Sequence, residues 1–243
     1  MQVITDPSII QLYDGASLRL HSHEEIHAQG KHVDAMLVKA WCDMLAKEYG
    51  VKGCSILFHL SSLAFPTCFP YNFMHLIWEN VIKNLILLWT SDFKGLDKGS
   101  GCYQIDATVC ATIRSVMASS GSTIPGCYGA CPPTFIENRS SVTADTWSFW
   151  TLYLGPVLLW QKFKDKKYYN HFVKLVELLH KCLQFTLATE DLLHLKQGFL
   201  DWVKVFEEFI YVSLTLVKFG SHVLYIYIGC IINMTHSACQ HVP

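Results

Sequence analysis

Four polar side chains recur along one stretch of this chain at a spacing that places them on a single helix face. They are Asn72, His75, Glu79 and Lys83, and in a helix of 3.6 residues per turn they stack in one row. A carboxylate, an imidazole and an amide held together in this way could bind a divalent metal or polarise a phosphate. The alternative is a solvated face on which Glu79 and Lys83 form a weak ion pair.

The opposite face of the same stretch is apolar and predicts the helix that would position these groups. Its hydrophobic residues follow helical periodicity, which is typical of a stripe packed on a core: Met74, Ile77, Trp78, Val81, Ile82, Leu85, Leu88 and Trp89. Pro70 fits a position just ahead of the helix, and Asn72 is placed to cap its N-terminus. Capping is a purely structural use of Asn72 and competes with a role in metal binding.

The remaining sequence predicts a mainly α-helical protein, an irregular helical domain with long Gly- and Pro-rich loops. Amphipathic spacing predicts helices over residues 33–45, 106–117, 143–160 and 168–185, and from residue 189 onward. Gly50 and Gly53 are expected to stop the first of these helices, and Thr143 is expected to cap the third. In the second of these we expect Val109, Ile113, Val116 and Met117 to point inward. The aromatic residues of the helix 143–160, which are Trp147, Phe149, Trp150 and Tyr153, are interpreted as core rather than as a platform for stacking bases. No alternation is long enough to indicate a strand.

Three segments are expected along the chain: a flexible N-terminal segment 1–30, a helical region 31–208 and a hydrophobic tail 209–243. The 243 residues suffice for one sizeable core. With 16% charged residues and a net charge of −1, the protein has no global basic field that attracts nucleic acid. Its one local basic cluster is Lys162, Lys164, Lys166 and Lys167, which is either a nucleic-acid contact or a solvated loop.

Histidine and cysteine groups offer two weaker metal candidates. His21, His23, His27 and His32 lie among Glu24 and Glu25, a density that also occurs in exposed linkers. Cys127 and Cys131 have a C-x3-C spacing but need two more ligands, for which Cys102, Cys110 and His59 are the candidates. The chain begins without a signal-peptide pattern, so we expect reduced thiols and no secretion.

The tail reads FIYVSLTLVKFGSHVLYIYIGCII from residue 209 to 232. This length suits one membrane span, although Lys218 near its middle opposes insertion by about 3 kcal/mol. A pair of buried strands is a second possibility. A changed reading frame or a retained intron, which would append unselected sequence, is the third and favoured explanation.

Several long motifs carry a resemblance to a known family. The string FPYNFMHLIWENVIKNLILLW resembles the Asp-x-Met-His … Glu-Asn block of CACTA (En/Spm-type) transposases, most of all the copies in mushroom-type fungal genomes. The likeness covers about residues 12 to 208 and includes YGVKGCSILFHLSSLAFPTCFP, SGSTIPGCYGACPPTFIENRSSVTADTWSFWTLYLGPVLL and QGFLDWVKVFEE. It implies a nuclear protein that derives from the C-terminal part of a transposase. Transposon-end DNA or full-length transposase would be its partner, and no small-molecule substrate is expected.

The same resemblance limits the chemistry that we expect. Family members have an RNase H-like fold in which three carboxylates hold two Mg²⁺ or Mn²⁺ ions for phosphodiester transfer. Glu79 matches the third carboxylate and the candidate metal ligand, with His75 beside it, while Asn72 stands where the family has Asp. An amide lacks the charge that a hard cation prefers, and only about 70 residues precede the block. We therefore expect a truncated, catalytically inactive copy that holds no cofactor.

Two alternatives from other classes stay open. One is a non-catalytic module that binds DNA or transposase, with the lysine cluster 162–167 as its contact. The other is a helical protein anchored to a membrane by a single span over residues 209–232.

Overall fold

The computed structural model describes residues 21–65, 68, 72–93, 101–120 and 142–213. Every regular element within these ranges is helical, so the mainly α-helical class is confirmed. The chain divides into two compact units, Met1–Pro70 and Tyr71–Pro243. This division adds a boundary inside the region 31–208 that was expected to be continuous.

The first unit contains helix α1 (His23–Asp34) and helix α2 (Lys39–Tyr49), followed by a 3₁₀ turn at Ile56–His59. Ser22 and Glu25 form a capping box, in which each backbone N–H donates to the other residue's side chain. Residues 23–30 therefore lie in a helix, which the sequence did not predict there. The capping box stabilises the start of a helix that apolar periodicity did not predict. Residues 1–20 lie outside the described ranges.

The single helix expected over residues 33–45 is wrong, because the chain breaks between α1 and α2. Asp34 ends α1, and its carboxylate accepts a hydrogen bond of 2.8 Å from the backbone N–H of Cys54. That contact directs the chain away from the helix axis. Val33 and Leu45 are still buried, but Trp41 is exposed. Gly50 ends α2 in the left-handed conformation (φ 70°), as its position after the helix predicts.

In the second unit, helix α3 begins as a π-helix, Met74–Ile82, and continues as an α-helix, Lys83–Trp89. The predicted core stripe is confirmed from Ile77 to Trp89, where its seven members are at most 7% exposed. Met74 is the exception, at 52% exposed, while Leu76 is buried. A π-helix bonds residue i to i+5 instead of i+4, so the apolar face is shifted in the first turns.

Helix α4 spans Ala107–Ser120, close to the predicted 106–117. Its inward face contains Cys110 and Met117, whereas Val116 is exposed. The inward orientation expected for Val116 is therefore wrong. Because one α-helical turn holds 3.6 residues, a face centred on Cys110 and Met117 leaves the position before Met117 pointing outward.

Helix α5 is continuous through Ala144–Phe149, a π-helical stretch Trp150–Leu154, and Gly155–Leu158. The side chain of Thr143 caps it, as predicted, by accepting from the backbone N–H of Thr146 at 3.4 Å. Trp147 and Trp150 are core residues, at 2% and 3% exposed, whereas the core position expected for Tyr153 is wrong, because this side chain is 50% exposed. A turn follows the helix, and Gln161 in that turn has a φ of 56°. A similar turn follows α3, in which Ser91 has a φ of 60°.

Helix α6 (Lys166–Cys182) and helix α7 (Thr189–Ser213) form an antiparallel pair. His171 stacks on Trp202, and Leu178 meets Gly198, where an added Cβ would lie 2.6 Å from the leucine. Phe172 on α6 lies edge-on to Trp89 of α3, with ring centroids 5.4 Å apart. These contacts place the core between α3, α5, α6 and α7.

The expected tail 209–243 is described only to Ser213, where its first residues continue the backbone of α7. Within the described ranges, no helix combines the length and the apolar character that a membrane crossing requires. The rest of the candidate span 209–232 lies outside those ranges.

Candidate functional site

Asn72 lies just before α3 and caps it. Its side-chain oxygen accepts hydrogen bonds from the backbone N–H groups of Met74 at 3.0 Å and His75 at 3.3 Å. These two donors lack partners inside the helix, which is the reason a capping side chain stabilises the end of a helix. The capping role of Asn72 is confirmed, and its amide oxygen is directed at the backbone.

His75 and Glu79 are brought together one turn further along. The ring Nδ1 of His75 contacts the carboxylate of Glu79, and both side chains are open to solvent. For a neutral ring this contact requires the proton on Nδ1, which leaves Nε2 as an outward acceptor. The expected ion pair between Glu79 and Lys83 is wrong, because the carboxylate turns toward His75 instead.

The donor set of this row does not fit the pair of Mg²⁺ or Mn²⁺ ions that the resemblance implies for an intact enzyme. Such ions take several oxygen ligands, mostly carboxylates. The row supplies one carboxylate, Glu79, already in contact with a histidine, and one amide, Asn72, already in use as a cap. In the part of the chain that the structure describes, no three His, Cys, Asp or Glu side chains are grouped to hold a metal.

The N-terminal histidines have structural contacts. His23 accepts a hydrogen bond from the backbone N–H of Phe65 at 3.1 Å, and His32 bonds to the Tyr49 hydroxyl at 2.9 Å. His27 packs edge-on against Phe58, with centroids 4.9 Å apart. Cys127 and Cys131 lie outside the described residues.

The lysine cluster lies on the turn between α5 and α6 and on the first residues of α6. All four lysines are exposed. Lys166 lies over the indole of Trp160, with Nζ 5.4 Å from the ring centroid. Lys167 pairs with Asp165 at 3.5 Å. The four lysines therefore form a solvent-exposed cationic turn, which is compatible with both the nucleic-acid contact and the solvated loop that the sequence left open.

Trp160 belongs to this surface, a role that the sequence did not indicate, since it identified Trp160 only as the end of a predicted helix. It is 47% exposed and makes an edge-to-face contact with Tyr169, with centroids 5.1 Å apart. Its position in the sequence could have indicated this role, because Trp160 is the last residue of the predicted helix and lies two residues before Lys162. Helical periodicity no longer determines the direction of a side chain once the helix has ended.

His171 is a partly buried titratable group that the sequence did not reveal. Its ring stacks on Trp202 with centroids 4.4 Å apart, and Nε2 lies 2.9 Å from the Trp202 carbonyl oxygen. The indole N–H of Trp202 donates in return to the His171 carbonyl at 2.9 Å. Burial lowers the pKa of His171 to about 4, and the bond to the carbonyl opposes only part of this effect. The neutral ring thus joins α6 to α7.

A small apolar cavity lies between α3, α4 and α5. Its volume is about 40 Å³, well below the roughly 150 Å³ that holds one benzene molecule in a protein core. Cys110 lines it, and burial raises the pKa of that thiol. The cavity is too small for an organic cofactor.

Taken together, these features define a mainly helical protein with a capped, internally paired polar row and a separate cationic turn. Comparisons with protein-family models, curated proteins and solved structures give no match for this chain. Functional inference therefore depends on the residues themselves and on the motifs that resemble CACTA transposases.

Proposed function

We propose that this protein is a transposase-derived helical protein, related to the CACTA type, that does not cleave DNA and acts by binding DNA or full-length transposase. It would be nuclear and hold no cofactor. We also propose that the chain forms an irregular helical domain with long Gly- and Pro-rich loops and a hydrophobic C-terminal segment.

The main support comes from the hydrogen bonds of Asn72. This residue stands where the family has an acid, and its oxygen accepts from two backbone N–H groups. Turning it toward a metal would remove the cap, which costs about 1 kcal/mol. A neutral amide would bind a hard cation less tightly than a carboxylate does. Asn72, His75 and Glu79 are thus vestiges of a site.

Cleavage of DNA carrying the element's terminal sequence tests the loss of catalysis. We expect no Mg²⁺- or Mn²⁺-dependent strand cleavage by the full chain, and none by Asn72→Asp, because one restored acid does not complete a site for two metals. An intact transposase of the same type serves as the positive control. Metal-dependent cleavage that Glu79→Ala abolishes would contradict the proposal.

Binding to the same DNA tests the second half of the proposal. Lysine contacts to phosphate release counterions, so affinity should fall steeply as salt rises. Weak binding that does not respond to salt would exclude a DNA-binding role. Co-purification with an epitope-tagged full-length transposase of the same type would then test the remaining partner.

The membrane alternative is favoured by one observation, the apolar run over residues 209–232 with Lys218 as its only Asp, Glu, Lys or Arg residue. Carbonate extraction of the expressed protein separates the two proposals, because an anchored protein stays in the pellet. Release into the supernatant would exclude the anchor. A splice site near the codon for Phe209 would instead identify the tail as unselected sequence.

A further inference from the structure

Trp160 differs from the neighbouring tryptophans in how much of it water reaches. Trp147 and Trp150 are 2% and 3% exposed, whereas Trp160 is 47% exposed. A large indole contributes most to stability when it is fully buried. Trp160 is therefore only partly used for packing, and about half of its surface is exposed to solvent.

The turn that carries Trp160 is anchored in the core at both ends. Leu159 precedes it and Phe163 follows within four positions, and both are buried. The ring of Phe163 lies edge-on to Trp89, with centroids 5.2 Å apart. Gln161 takes the left-handed conformation between the two anchors. Because both anchors are buried, the backbone between them is fixed at the surface by contacts on either side.

The surroundings of the indole are cationic. Residues 162–167 contain four lysines and one aspartate, in a protein whose net charge is −1. Lys162 and Lys164 are exposed, and the ammonium of Lys166 lies over the indole. Exposed cation–π contacts are weak enough to exchange with another ligand. A ligand with a flat ring and a nearby anion fits this arrangement.

We propose that Trp160 and the four lysines form a binding platform for single-stranded DNA, an assignment that rests on the proposed role in binding DNA. One base stacks on the indole, and the lysines neutralise the phosphates on either side. The ammonium of Lys166 moves from the ring to a phosphate when the base enters. A base within a duplex is already stacked and paired, so only an unpaired strand offers a free ring face.

Fluorescence anisotropy with a labelled thymidine 20-mer and the full chain tests the platform. We expect Trp160→Ala to weaken binding on the order of tenfold, and Trp160→Phe to retain most of the affinity because it keeps a stacking ring. The double variant Lys162→Gln/Lys164→Gln should reduce the slope of log K against log salt by about 1.4, since each phosphate contact on a single strand contributes about 0.7.

Matched controls come from helix α2. Trp41 is exposed to a similar extent, at 58%, so Trp41→Ala should leave binding unchanged. Lys39→Gln/Lys47→Gln removes the same charge from exposed positions and should not reduce the slope by as much. Thermal unfolding confirms that each variant is folded. Equal losses in the control variants would show a general charge effect and overturn the platform.

Three further outcomes also decide against the proposal. They are equally tight binding of a 20-base-pair duplex, tighter binding of a uridine RNA 20-mer, and Trp160-dependent binding to phosphatidylserine vesicles without binding to the thymidine strand. None of them bears on the cleavage assay with Glu79→Ala, so failure of the platform and failure of the proposed loss of catalysis are distinguishable.

Discussion

The polar row on α3 and the cationic turn after α5 began as comparable candidates, each a set of charged or polar side chains at suggestive spacing. In the row, Asn72 bonds to the backbone and Glu79 contacts His75. In the turn, buried Leu159 and Phe163 anchor the backbone, and Asp165 alone is used as a cap, accepting a hydrogen bond from the backbone N–H of Lys167. The comparison teaches that a polar set keeps exposed charge for a ligand when buried neighbours fix the backbone that carries it.

The largest effect should come from removing an anchor of the turn. Phe163→Ala deletes a buried ring that packs on Trp89 and Tyr168, and we expect it to lower the free energy of unfolding by about 3 kcal/mol. Urea denaturation measures this loss. Phe185 is fully exposed, so Phe185→Ala is the control and should be nearly neutral. A loss below 1 kcal/mol for Phe163→Ala would show that the turn is not anchored as described.

Acidification should weaken the α6–α7 pair that continues from the turn. Burial lowers the pKa of His171 from 6.5 to about 4, so the unfolded chain takes up a proton before the folded one does. The contribution of neutral His171 to the free energy of unfolding is therefore fully present above pH 6.5. It decreases as the pH falls toward 4, by at most about 3 kcal/mol.

Stability curves measured between pH 7 and 4 test the role of His171. His171→Gln should flatten the curve in this window, whereas His194→Gln, at an exposed position, should leave it unchanged. The salt bridge with Lys181 lowers the pKa of Asp191, but that group titrates below the same window. An unaltered slope in His171→Gln would refute the assignment.

A smaller effect separates the two roles of Asn72. Asn72→Ala should cost about 1 kcal/mol through loss of the cap. Asn72→Asp should keep the cap and add favourable charge at the helix N-terminus, so stability should be retained or rise by a few tenths of a kcal/mol. Thermal unfolding of the two variants measures both. If both variants lost stability equally, capping would not be the role of this residue.

The smallest effect belongs to Glu79. Its contact with His75 is solvent-exposed, and exposed pairs of this kind contribute no more than about 1 kcal/mol. We expect Glu79→Gln to change stability by less than 0.5 kcal/mol, roughly the value of one i, i+4 pair. A loss of several kcal/mol would show that the row supports the fold in some further way.

Sequence periodicity predicted the second unit well because its helices bury long apolar faces. The caps at Asn72 and Thr143 were predictable for a different reason, which is that a capping side chain bonds to the backbone only two or three residues away. The failures arose where a non-local contact or a change of helix type decided the outcome. Asp34 reaches across to Cys54, and the π-helical turns shift the face on which Met74 lies.

The candidate site was only partly predictable. The spacing of His75 and Glu79 placed them together, and the lysines were recognisable as a run. Their partners were not predictable, because the choice of Glu79 between His75 and Lys83 depends on rotamers in a π-helix. Trp160 was not recognised as part of the surface because it was taken as the last residue of its helix, which ends at Leu158, and a helix end is the least certain feature of a periodic sequence.

The left-handed residues at the ends of α3 and α5 make two sites where this protein can be made more robust for crystallography or storage. Neither Ser91 nor Gln161 is glycine, yet both have a positive φ, which costs an ordinary residue roughly 1 kcal/mol or more. Glycine removes that strain, but its greater conformational freedom in the unfolded chain offsets part of the stability gained. Ser91→Gly is the better choice for handling, because Gln161→Gly would also loosen the turn that presents Trp160.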